Sequence, residues 1–386
     1  MKKRYISLDV LRGLTVAMMI VVNNPGSWTN VFPFLRHAPW EGCTPCDLVF
    51  PFFLFCVGTS MAFALAKYAS LSWDALKKIL KRGLLLFLVG VALNAFPFYP
   101  SASNMDPGLT FWQNWLEWAG NLRLMGVLQR IAMCYVFGSV LALWLRNTSR
   151  IWCGIGVLSL LHVGLLLIFA GPEGAFTLEG NFAGKVDRAL LGESHMYGGY
   201  TDAAGVSVPF DPEGLFGVLT GTCTVLVGYL AGCLIRNSAE KYSESSDVTY
   251  SPTGVSVKLY TYAALSLLGG LALGIFIPIS KPLWSVSYVF YAGGWSMLVL
   301  AFLVYMIDVR GMEKPFFPFK ALGMNALAIY VLSGLLMKLN WRYLQWDYTV
   351  VFGGDEYMSL LFALLYLLLH LVVAVFLYKK RIFIKL

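Results

Sequence analysis

Charged side chains are scarce in this sequence. They make up 13% of its 386 residues, against about 25% in an ordinary soluble domain, while 58% of the residues are hydrophobic. A water-soluble chain of this length needs a more polar surface, so the composition excludes a soluble globular protein. Runs of about 20 apolar residues, each long enough to cross a bilayer core of about 30 Å, recur along the whole chain. The sequence therefore predicts an all-α, polytopic membrane protein.

Features that would indicate several other functions are also missing. The sequence has no Walker-type loop, no Gly-x-Gly-x-x-Gly and no paired-histidine motif, so we expect no metal. The net charge is +8, but the basic residues are scattered in short loops, so we expect no nucleic-acid partner. No stretch is long and polar enough for a second domain. We expect one membrane domain over residues 1–386, with a flexible Ser-rich linker at about 236–256.

Two of the seven cysteines, Cys43 and Cys46, lie close together near a predicted helix end. A disulfide or redox pair and two unrelated small residues are both consistent with this spacing. A metal site is not favoured, because no second pair completes a set of four ligands.

About ten transmembrane helices are predicted, which puts both termini on one side of the membrane. Twenty of the 29 Lys and Arg residues lie on that side, so the positive-inside rule places the termini in the cytoplasm. The long outer loops, 23–43, 99–123 and 171–213, are rich in Gly, Pro, Trp and Tyr, which suits a sugar-like ligand or an interfacial aromatic belt. The predicted helices are 7–22, 47–66, 83–98, 124–145, 151–170, 214–235, 257–278, 284–307, 321–339 and 358–378.

Ionisable residues in or near the spans are candidates for function, because they are costly to place in a membrane. Asp9 and Arg12 are three residues apart and share a helix face, so they can pair, or Arg12 can hold an anionic ligand. Gln129 and Arg130 lie early in the fourth helix. A buried Arg130 requires an anionic partner, and either Asp47 or a ligand would serve.

His37 lies in the first outer loop, ten residues before Asp47, which opens the second helix. A carboxylate near an imidazole can fix its tautomer, which is the base-and-orienter arrangement of acyl transfer. Asn23, at the end of the first helix, can donate a hydrogen bond to a developing oxyanion. Helix capping by Asp47 and loop packing by Asn23 are the plainer interpretations. His162 and His370 stand alone in apolar helices, and we expect both to be structural.

The third outer loop carries a dense set of polar residues just before the sixth helix. Such a set can bind an amino sugar through carboxylates and aromatic rings, or it reflects Asp-Pro turn chemistry and a helix start. Asn325 is polar in an apolar span, and we expect it to face the bundle interior. The candidate substrate-binding residues are Asp187, Arg188, His195, Asp211 and Glu213, together with Trp40 and Trp284.

Several short motifs occur in the collinear order of a known family. Over nearly the whole chain they resemble the heparan-alpha-glucosaminide N-acetyltransferase family, in a compact bacterial form. The motifs are SLDVLRG at 7–13, HAPWEGCT at 37–44 running into DLVFP at 47–51, GVLQR at 126–130, DR at 187–188 with LLG at 190–192, DPEG at 211–214, LWS at 283–285, GMN at 323–325 and YKKRIF at 378–383.

The resemblance implies transfer of an acetyl group from cytoplasmic acetyl-CoA to the amine of a glucosamine beyond the membrane. The active-site histidine of the family matches His37 and its catalytic asparagine matches Asn23, and Asp47 and Arg130 gain support as their neighbours. Further implications of the resemblance are a bacterial inner-membrane location, a site that opens to the periplasm, and a homodimer. The partners it implies are membrane lipid and an amino-sugar acceptor. The outer loops diverge most, which leaves the acceptor sugar open.

Acetyl-CoA is the expected co-substrate, entering from the basic cytoplasmic face with its pantetheine arm between the helices. Direct transfer to the amine and an acetyl-His37 intermediate are both open, and direct transfer is favoured because an acyl-imidazole facing water would hydrolyse. An O-acyltransferase of a surface polysaccharide and a sugar or glycolipid transporter are the alternatives; a transporter is expected to show repeats or broken helices. The candidate acetyl-CoA contacts are Arg12, Gln129, Asn325, Lys81 and Arg82.

Overall fold

The computed structural model describes residues 5–100, 105–202, 204–344 and 354–384, and within these ranges the chain is helical without a named β-strand. This confirms the predicted all-α class. The α-helices are α1 (Ile6–Asn23), α2 (Val49–Ala64), α3 (Trp73–Ala95), α4 (Phe111–Gly120), α5 (Val127–Leu145), α6 (Thr148–Ile168), α7 (Phe182–Leu191), α8 (Val218–Ser245), α9 (Pro252–Leu273), α10 (Val286–Leu303), α11 (Phe317–Met324), α12 (Ala326–Leu339) and α13 (Glu356–Lys379).

Eight helical segments of the described chain are long and apolar enough to cross a membrane. Each coincides with a predicted span. A ninth predicted span, 321–339, corresponds to Lys314–Met324 and Ala326–Leu339, which are bent by 74° at Asn325. The eight segments are α1, Pro45–Ala64, α5, α6, α8, α9, Val286–Val309 and α13.

The third predicted helix is the later part of α3, which begins ten residues earlier than expected. The basic residues of 77–82, predicted to lie in a loop, occupy its first half, so α3 lacks the composition of an isolated span. It nevertheless runs antiparallel along α5: Arg82 stacks on Tyr135, and Asn94 donates to the Met125 carbonyl. These contacts are about 18 Å apart along α3, so α3 packs along α5 over most of its length although it is not among the segments with the composition of a span.

The inner helices approach one another closely where glycine removes a side chain. A Cβ atom on Gly58 of α2 would lie 1.9 Å from the carbonyl oxygen of Val225 in α8. A Cβ atom on Gly13 of α1 would lie 1.7 Å from the carbonyl oxygen of Phe319 in α11. Such contacts are the usual way membrane helices pack. The spans α6, α9 and α13 are only 28%, 28% and 22% buried, against 67% for α1 and 72% for α8, so they form the outside of the bundle.

Three segments outside the predicted spans are more ordered than the sequence indicated. The short helices α4 and α7 lie in the second and third long loops, and Thr110 and Gln113 form a capping box at the start of α4. The segment 236–256 differs from the prediction of a flexible linker. Its first half is helical, because α8 continues to Ser245. Helix-forming Ala, Glu and Lys residues among the serines allow the helix to continue.

Candidate active site

The loop between α1 and α2 is held against the connection between α9 and α10. The backbone N–H of Gly42 donates to the Ile279 carbonyl at 2.7 Å, and Gly42 has a φ of +100°, a value that favours glycine. Thr44 then caps the 3₁₀ turn Pro45–Leu48, which leads directly into α2. Two distant parts of the chain therefore meet at the same end of the bundle.

His37 and Asp47, the pair expected from the sequence, are joined by a hydrogen bond. Nδ1 of His37 lies 2.7 Å from Oδ1 of Asp47. The other carboxylate oxygen accepts from the backbone N–H groups of Ala38 and Thr44, each at 3.0 Å. The Asp47 side chain is 1% exposed and that of His37 is 49% exposed. The Asp47 carboxylate favours the His37 tautomer that carries the proton on Nδ1. In this tautomer Nε2 is unprotonated and can accept a proton from a ligand.

Lys281 joins this pair, although the sequence did not single it out as a site residue. Its Nζ lies 3.0 Å from Nδ1 and 3.4 Å from Nε2 of His37, and 3.5 Å from Oδ1 of Asp47. The Lys281 and His37 side chains come from positions 244 residues apart, so only the contact between the two loops brings them together. The site is thus a His–Asp–Lys cluster.

Cys46 also contacts His37, with its Sγ 3.2 Å from Nδ1. Cys43 and Cys46 are both free thiols, so neither belongs to a disulfide. Burial raises the pKa of the Cys43 thiol to about 12, which keeps it protonated at neutral pH.

Asn23 is the last residue of α1 and is exposed at the same end of the bundle as His37. Within the described ranges no hydrogen bond joins Asn23 to His37. The buried amide is that of Asn24, which donates to the Ile20 carbonyl at 2.6 Å and to Ser333. Asn23 is therefore exposed, whereas Asn24 is part of the helix packing.

Arg130 is 1% exposed, but Asp47 is not its partner. Its Nη2 donates to the Gly214 carbonyl at 2.7 Å, and the guanidinium lies 5.3 Å from the ring centroid of Trp284. Nε and Nη1 have no hydrogen-bond partner among the described residues, and Asp187 is a carboxylate within electrostatic range. Of the two partners that the sequence left open for Arg130, Asp47 or a ligand, the structure does not support Asp47, because the segment before α8 and the Trp284 turn surround the guanidinium.

Asp187 lies under the start of α8 rather than on an open surface. Its Oδ1 accepts from the N–H groups of Leu215 at 2.8 Å and Phe216 at 3.2 Å. Burial raises the pKa of this carboxyl to about 6, against the opposing effects of those N–H groups and Arg130. The contacts of Asp187 are those of a helix-positioning residue.

Arg188 and His195 are likewise engaged with backbone. Arg188 donates to the Pro209 carbonyl at 3.1 Å, and His195 Nδ1 lies 2.8 Å from the Leu122 carbonyl. The Arg188 contact lies within the third outer loop, and the His195 contact joins this loop to the second outer loop. The density of polar residues in this loop therefore reflects its internal structure at least in part.

Asp211 and Glu213 form an ion cluster with Arg123, a residue that the sequence did not single out. Arg123 binds Asp211 through two nitrogens, at 2.9 and 2.7 Å, and its Nη2 also reaches Glu213. The guanidinium lies 4.9 Å from the ring centroid of Tyr197. Arg123 stands 88 residues before Asp211, so no local pattern indicated the pair.

Trp40 and Trp284 have different surroundings. Trp40 is half-buried, donates to the Phe176 carbonyl at 2.7 Å and meets the Tyr200 ring edge-on at 5.8 Å. Trp284 is fully buried and donates to Thr224 at 3.1 Å. Trp284 is not placed to contact a sugar, because α8 and α10 enclose it, whereas Trp40 lies in the loop that carries His37.

A cavity of about 350 Å³ opens from the opposite end of the bundle, and Arg12 and Arg82 line it. Arg12 is fixed there: it donates to Ser60 at 2.7 Å and to the Gly323 carbonyl at 3.2 Å, and it pairs with Asp9 at 3.5 Å. The predicted contact between Asp9 and Arg12 is confirmed. Arg82 is exposed and lies over the ring of Tyr135.

The other three residues predicted to contact acetyl-CoA do not line this cavity. Lys81 is exposed beside it. Gln129 donates to the Leu124 carbonyl and packs between α3 and α5. Asn325 faces inward as expected, but it binds the backbone of the C-terminal segment, donating to the Ile382 carbonyl and accepting from the N–H of Ile384.

A second, much smaller space lies next to this cavity. Its volume is about 10 Å³, roughly the least that holds one water molecule. Met19 and Tyr330, on its far side, belong to the same hydrophobic cluster as Cys46, which touches His37. The two spaces share the side chains of Phe53, Leu128, Ile131 and Leu327 as walls.

The fold and the site define a multi-span helical membrane protein with a carboxylate-oriented histidine at one end and an arginine-lined cavity at the other. A family model described as heparan-alpha-glucosaminide N-acetyltransferase, catalytic, matches residues 4–169, which include His37, Asp47 and Arg130. Heparan-alpha-glucosaminide N-acetyltransferase of Mus musculus is 27% identical over 97% of this chain and 60% of its own length. That of Homo sapiens is 26% identical over 98% of this chain and 59% of its own length.

The chain is therefore similar to heparan-alpha-glucosaminide N-acetyltransferases over nearly its whole length. It spans about three fifths of the length of these two relatives.

Proposed function

We propose that the chain is a transmembrane N-acetyltransferase that moves an acetyl group from cytoplasmic acetyl-CoA to the amine of a glucosamine on the outer side. The observation that supports this most is that the two ends of the bundle differ: one holds an oriented His37, and the other holds the Arg12 cavity. The similarity to heparan-alpha-glucosaminide N-acetyltransferases supports the same reaction. The charge distribution of the loops supports a His37 that faces away from the cytoplasm, which in our proposal is the periplasmic side of a bacterial inner membrane.

His37 acts as the general base in this proposal. Its Nε2 takes a proton from the sugar amine as the nitrogen attacks the thioester carbon. Asp47 holds Nδ1–H and stabilises the imidazolium that forms. The new C–N bond replaces the C–S bond, and His37 returns the proton to the departing thiolate, so that the products are the N-acetyl sugar and CoA.

Lys281 is our candidate for stabilising the oxyanion. Its ammonium lies 3.4 Å from Nε2 of His37, so a reacting group bound at Nε2 would be within its reach. A fixed cation aimed at developing negative charge is an effective way to lower such a barrier. Asn23, exposed at the same end, is the second candidate for this role.

The Arg12 cavity is the proposed entry for acetyl-CoA. Arg12 already has three protein partners, so we assign it to shaping the wall, and we assign phosphate binding to the exposed Arg82. The space of about 10 Å³ beyond the cavity is too narrow for a pantetheine arm. Binding must therefore displace side chains such as Phe53 or Leu327 from its walls.

Direct transfer to the amine is favoured over an acetyl-His37 intermediate. The His37 side chain is 49% exposed, so an acyl-imidazole there would meet water. Enzyme given acetyl-CoA alone would then release little CoA, whereas the two-step route would give a stoichiometric burst. Rapid-quench measurement of CoA without acceptor separates the two.

The decisive experiment is CoA release by the purified protein in detergent, with acetyl-CoA and glucosamine. We expect glucosamine-dependent release that His37→Ala lowers by about 10²–10⁴-fold, the usual contribution of a general base. His195→Ala is the matched control, because that ring binds a backbone carbonyl outside the His–Asp–Lys cluster. If no amino sugar caused CoA release, N-acetyl transfer would be contradicted. CoA release with hydroxyl acceptors would then test the O-acyltransferase alternative. Sugar uptake by proteoliposomes would test the transporter alternative.

A further inference from the structure

A second large groove lies on the outside of the bundle, between α6, α8 and α9. Its volume is about 850 Å³, and it shares no lining residue with the Arg12 cavity. Along α9 it is lined from Lys258 to Phe276, a rise of about 27 Å, close to the bilayer core thickness of about 30 Å. Along α8 it runs from Val227 to Lys241. The groove therefore runs in the direction of the acyl chains in the membrane, and it is long enough for the chains of one leaflet, which occupy about 15 Å, half of the bilayer core.

One end of this groove is basic. Nζ of Lys241 lies 4.9 Å and Nζ of Lys258 lies 4.7 Å from the ring centroid of Tyr250. Neither lysine forms an ion pair with a carboxylate in the part of the chain that the structure describes. Asp247 interacts electrostatically with Lys258 without forming an ion pair. Its Oδ1 accepts hydrogen bonds from the backbone N–H and the hydroxyl of Thr249, each at 2.9 Å. Two cations thus converge on one aromatic ring at the mouth of the groove.

The rest of the groove is apolar and faces the lipid side of the bundle. The helices α6 and α9 are each only 28% buried, so they are outer helices. Trp152, 45% exposed near the start of α6, lines the same end as the two lysines, as an interfacial tryptophan would. An apolar trough with a basic, aromatic rim matches the structure of an anionic phospholipid.

We propose that this groove binds an anionic phospholipid, with its phosphate between Lys241 and Lys258 and its acyl chains along α8 and α9. This site is separate from the proposed acetyl-CoA and acceptor sites. In the loop assignment above, its basic end lies on the cytoplasmic side, where anionic lipids attract basic residues.

A second copy of this chain fits the groove less well. A two-fold dimer brings the same patch of each protomer together. A concave groove would then face a concave groove, and the lysines of the two protomers would approach one another. An acyl chain fills the groove, and a phosphate neutralises the lysines.

Native mass spectrometry of the detergent-purified protein tests the proposal, with phosphatidylglycerol and phosphatidylcholine of identical acyl chains as probes. We expect phosphatidylglycerol to bind at least about tenfold more tightly, and Lys241→Gln with Lys258→Gln to remove that preference. The matched control is Lys67→Gln with Lys78→Gln. Those lysines lie 5.1 and 5.9 Å from the ring centroid of Tyr68 but do not line the groove.

A second pair of variants tests the acyl-chain part of the site. Gly269 lines the groove, and a Cβ there meets nothing within 4 Å, so Gly269→Leu fills the groove without a clash. We expect it to lower binding of both lipids. Gly164→Leu on α6 is the control, because its Cβ also meets nothing within 4 Å but it does not line the groove.

Two results would overturn the proposal. Equal binding of both lipids, unchanged by the lysine variants, would show an apolar groove that takes any acyl chain. A change in oligomeric state with Gly269→Leu, at unchanged lipid binding, would assign the groove to a second copy of the chain.

Discussion

The two ends of the bundle hold their polar side chains in different ways. At the His37 end, contacts of 2.7–3.0 Å from backbone and side chains fix Asp47, and Asp47 fixes the imidazole. At the Arg12 end, the exposed Arg82 lines a cavity of about 350 Å³, and a space of about 10 Å³ lies next to it. In our proposal, the first end carries out the chemical step and the second admits acetyl-CoA. Substitutions at the first end should therefore change kcat, and those at the second should change KM for acetyl-CoA.

The largest effect should come from Asp47→Asn. The amide no longer holds the proton on Nδ1 or stabilises the imidazolium, so we expect kcat to fall by about 10³-fold while KM for acetyl-CoA is unchanged. Steady-state CoA release measures both constants. Asp202→Asn is the matched control, because that carboxylate also accepts backbone N–H groups in an outer loop but has no histidine partner. A loss of less than threefold for Asp47→Asn would show that the carboxylate does not orient the base.

Lys281 and Asn23 compete for the role of oxyanion donor, and their variants should differ. We expect Lys281→Met to lower kcat by about 10²-fold, within the range for loss of one preorganised donor. Asn23→Ala should have a smaller effect, because Asn23 makes no contact with His37 in the described part of the chain. The opposite order of the two losses would move the oxyanion site to Asn23 and leave Lys281 as a partner of Asp47.

The sequence indicated the His37 site better than it indicated the neighbours of that site. His37 and Asp47 are ten residues apart in one loop, and their pairing depends on local capping at the start of α2. Lys281 reaches His37, and Arg123 reaches Asp211, only through packing between segments distant in the chain. Local residue patterns carry no information about such contacts.

The same reasoning explains which parts of the fold were predicted. Composition and run length located nine spans, because a long apolar run has few alternatives to a membrane helix. α4 and α7 were missed, since short helices within polar loops leave only capping signals. The polar residues of the third outer loop were ambiguous, because binding a sugar and holding a loop together require the same side chains. For Asp187 and Arg188 the structure shows the second use.

At the Arg12 end, Arg82→Gln should raise KM for acetyl-CoA by about tenfold, the value of one charge-assisted hydrogen bond to phosphate. kcat at saturating acetyl-CoA should be unchanged, because Arg82 lies far from His37. Lys81→Gln is the matched control: Lys81 is the adjacent basic residue, but it does not line the cavity. Equal effects of the two variants would mean that general surface charge, rather than a defined phosphate contact, attracts the co-substrate.

The smallest effect concerns Asp187, which we assign to the scaffold between the two ends. Burial raises the pKa of its carboxyl to about 6, so the folded protein retains a proton that the unfolded chain releases at lower pH. The stability this contributes is present below the ordinary carboxyl pKa and is lost as the pH rises through about 6. This contribution to the apparent melting temperature of the wild type should therefore fall between about pH 4 and pH 6. Asp187→Asn keeps an oxygen for the Leu215 and Phe216 N–H groups but does not titrate, so it should flatten this dependence while leaving kcat at neutral pH unchanged. Parallel melting curves with a reduced kcat would instead place Asp187 in the acceptor site.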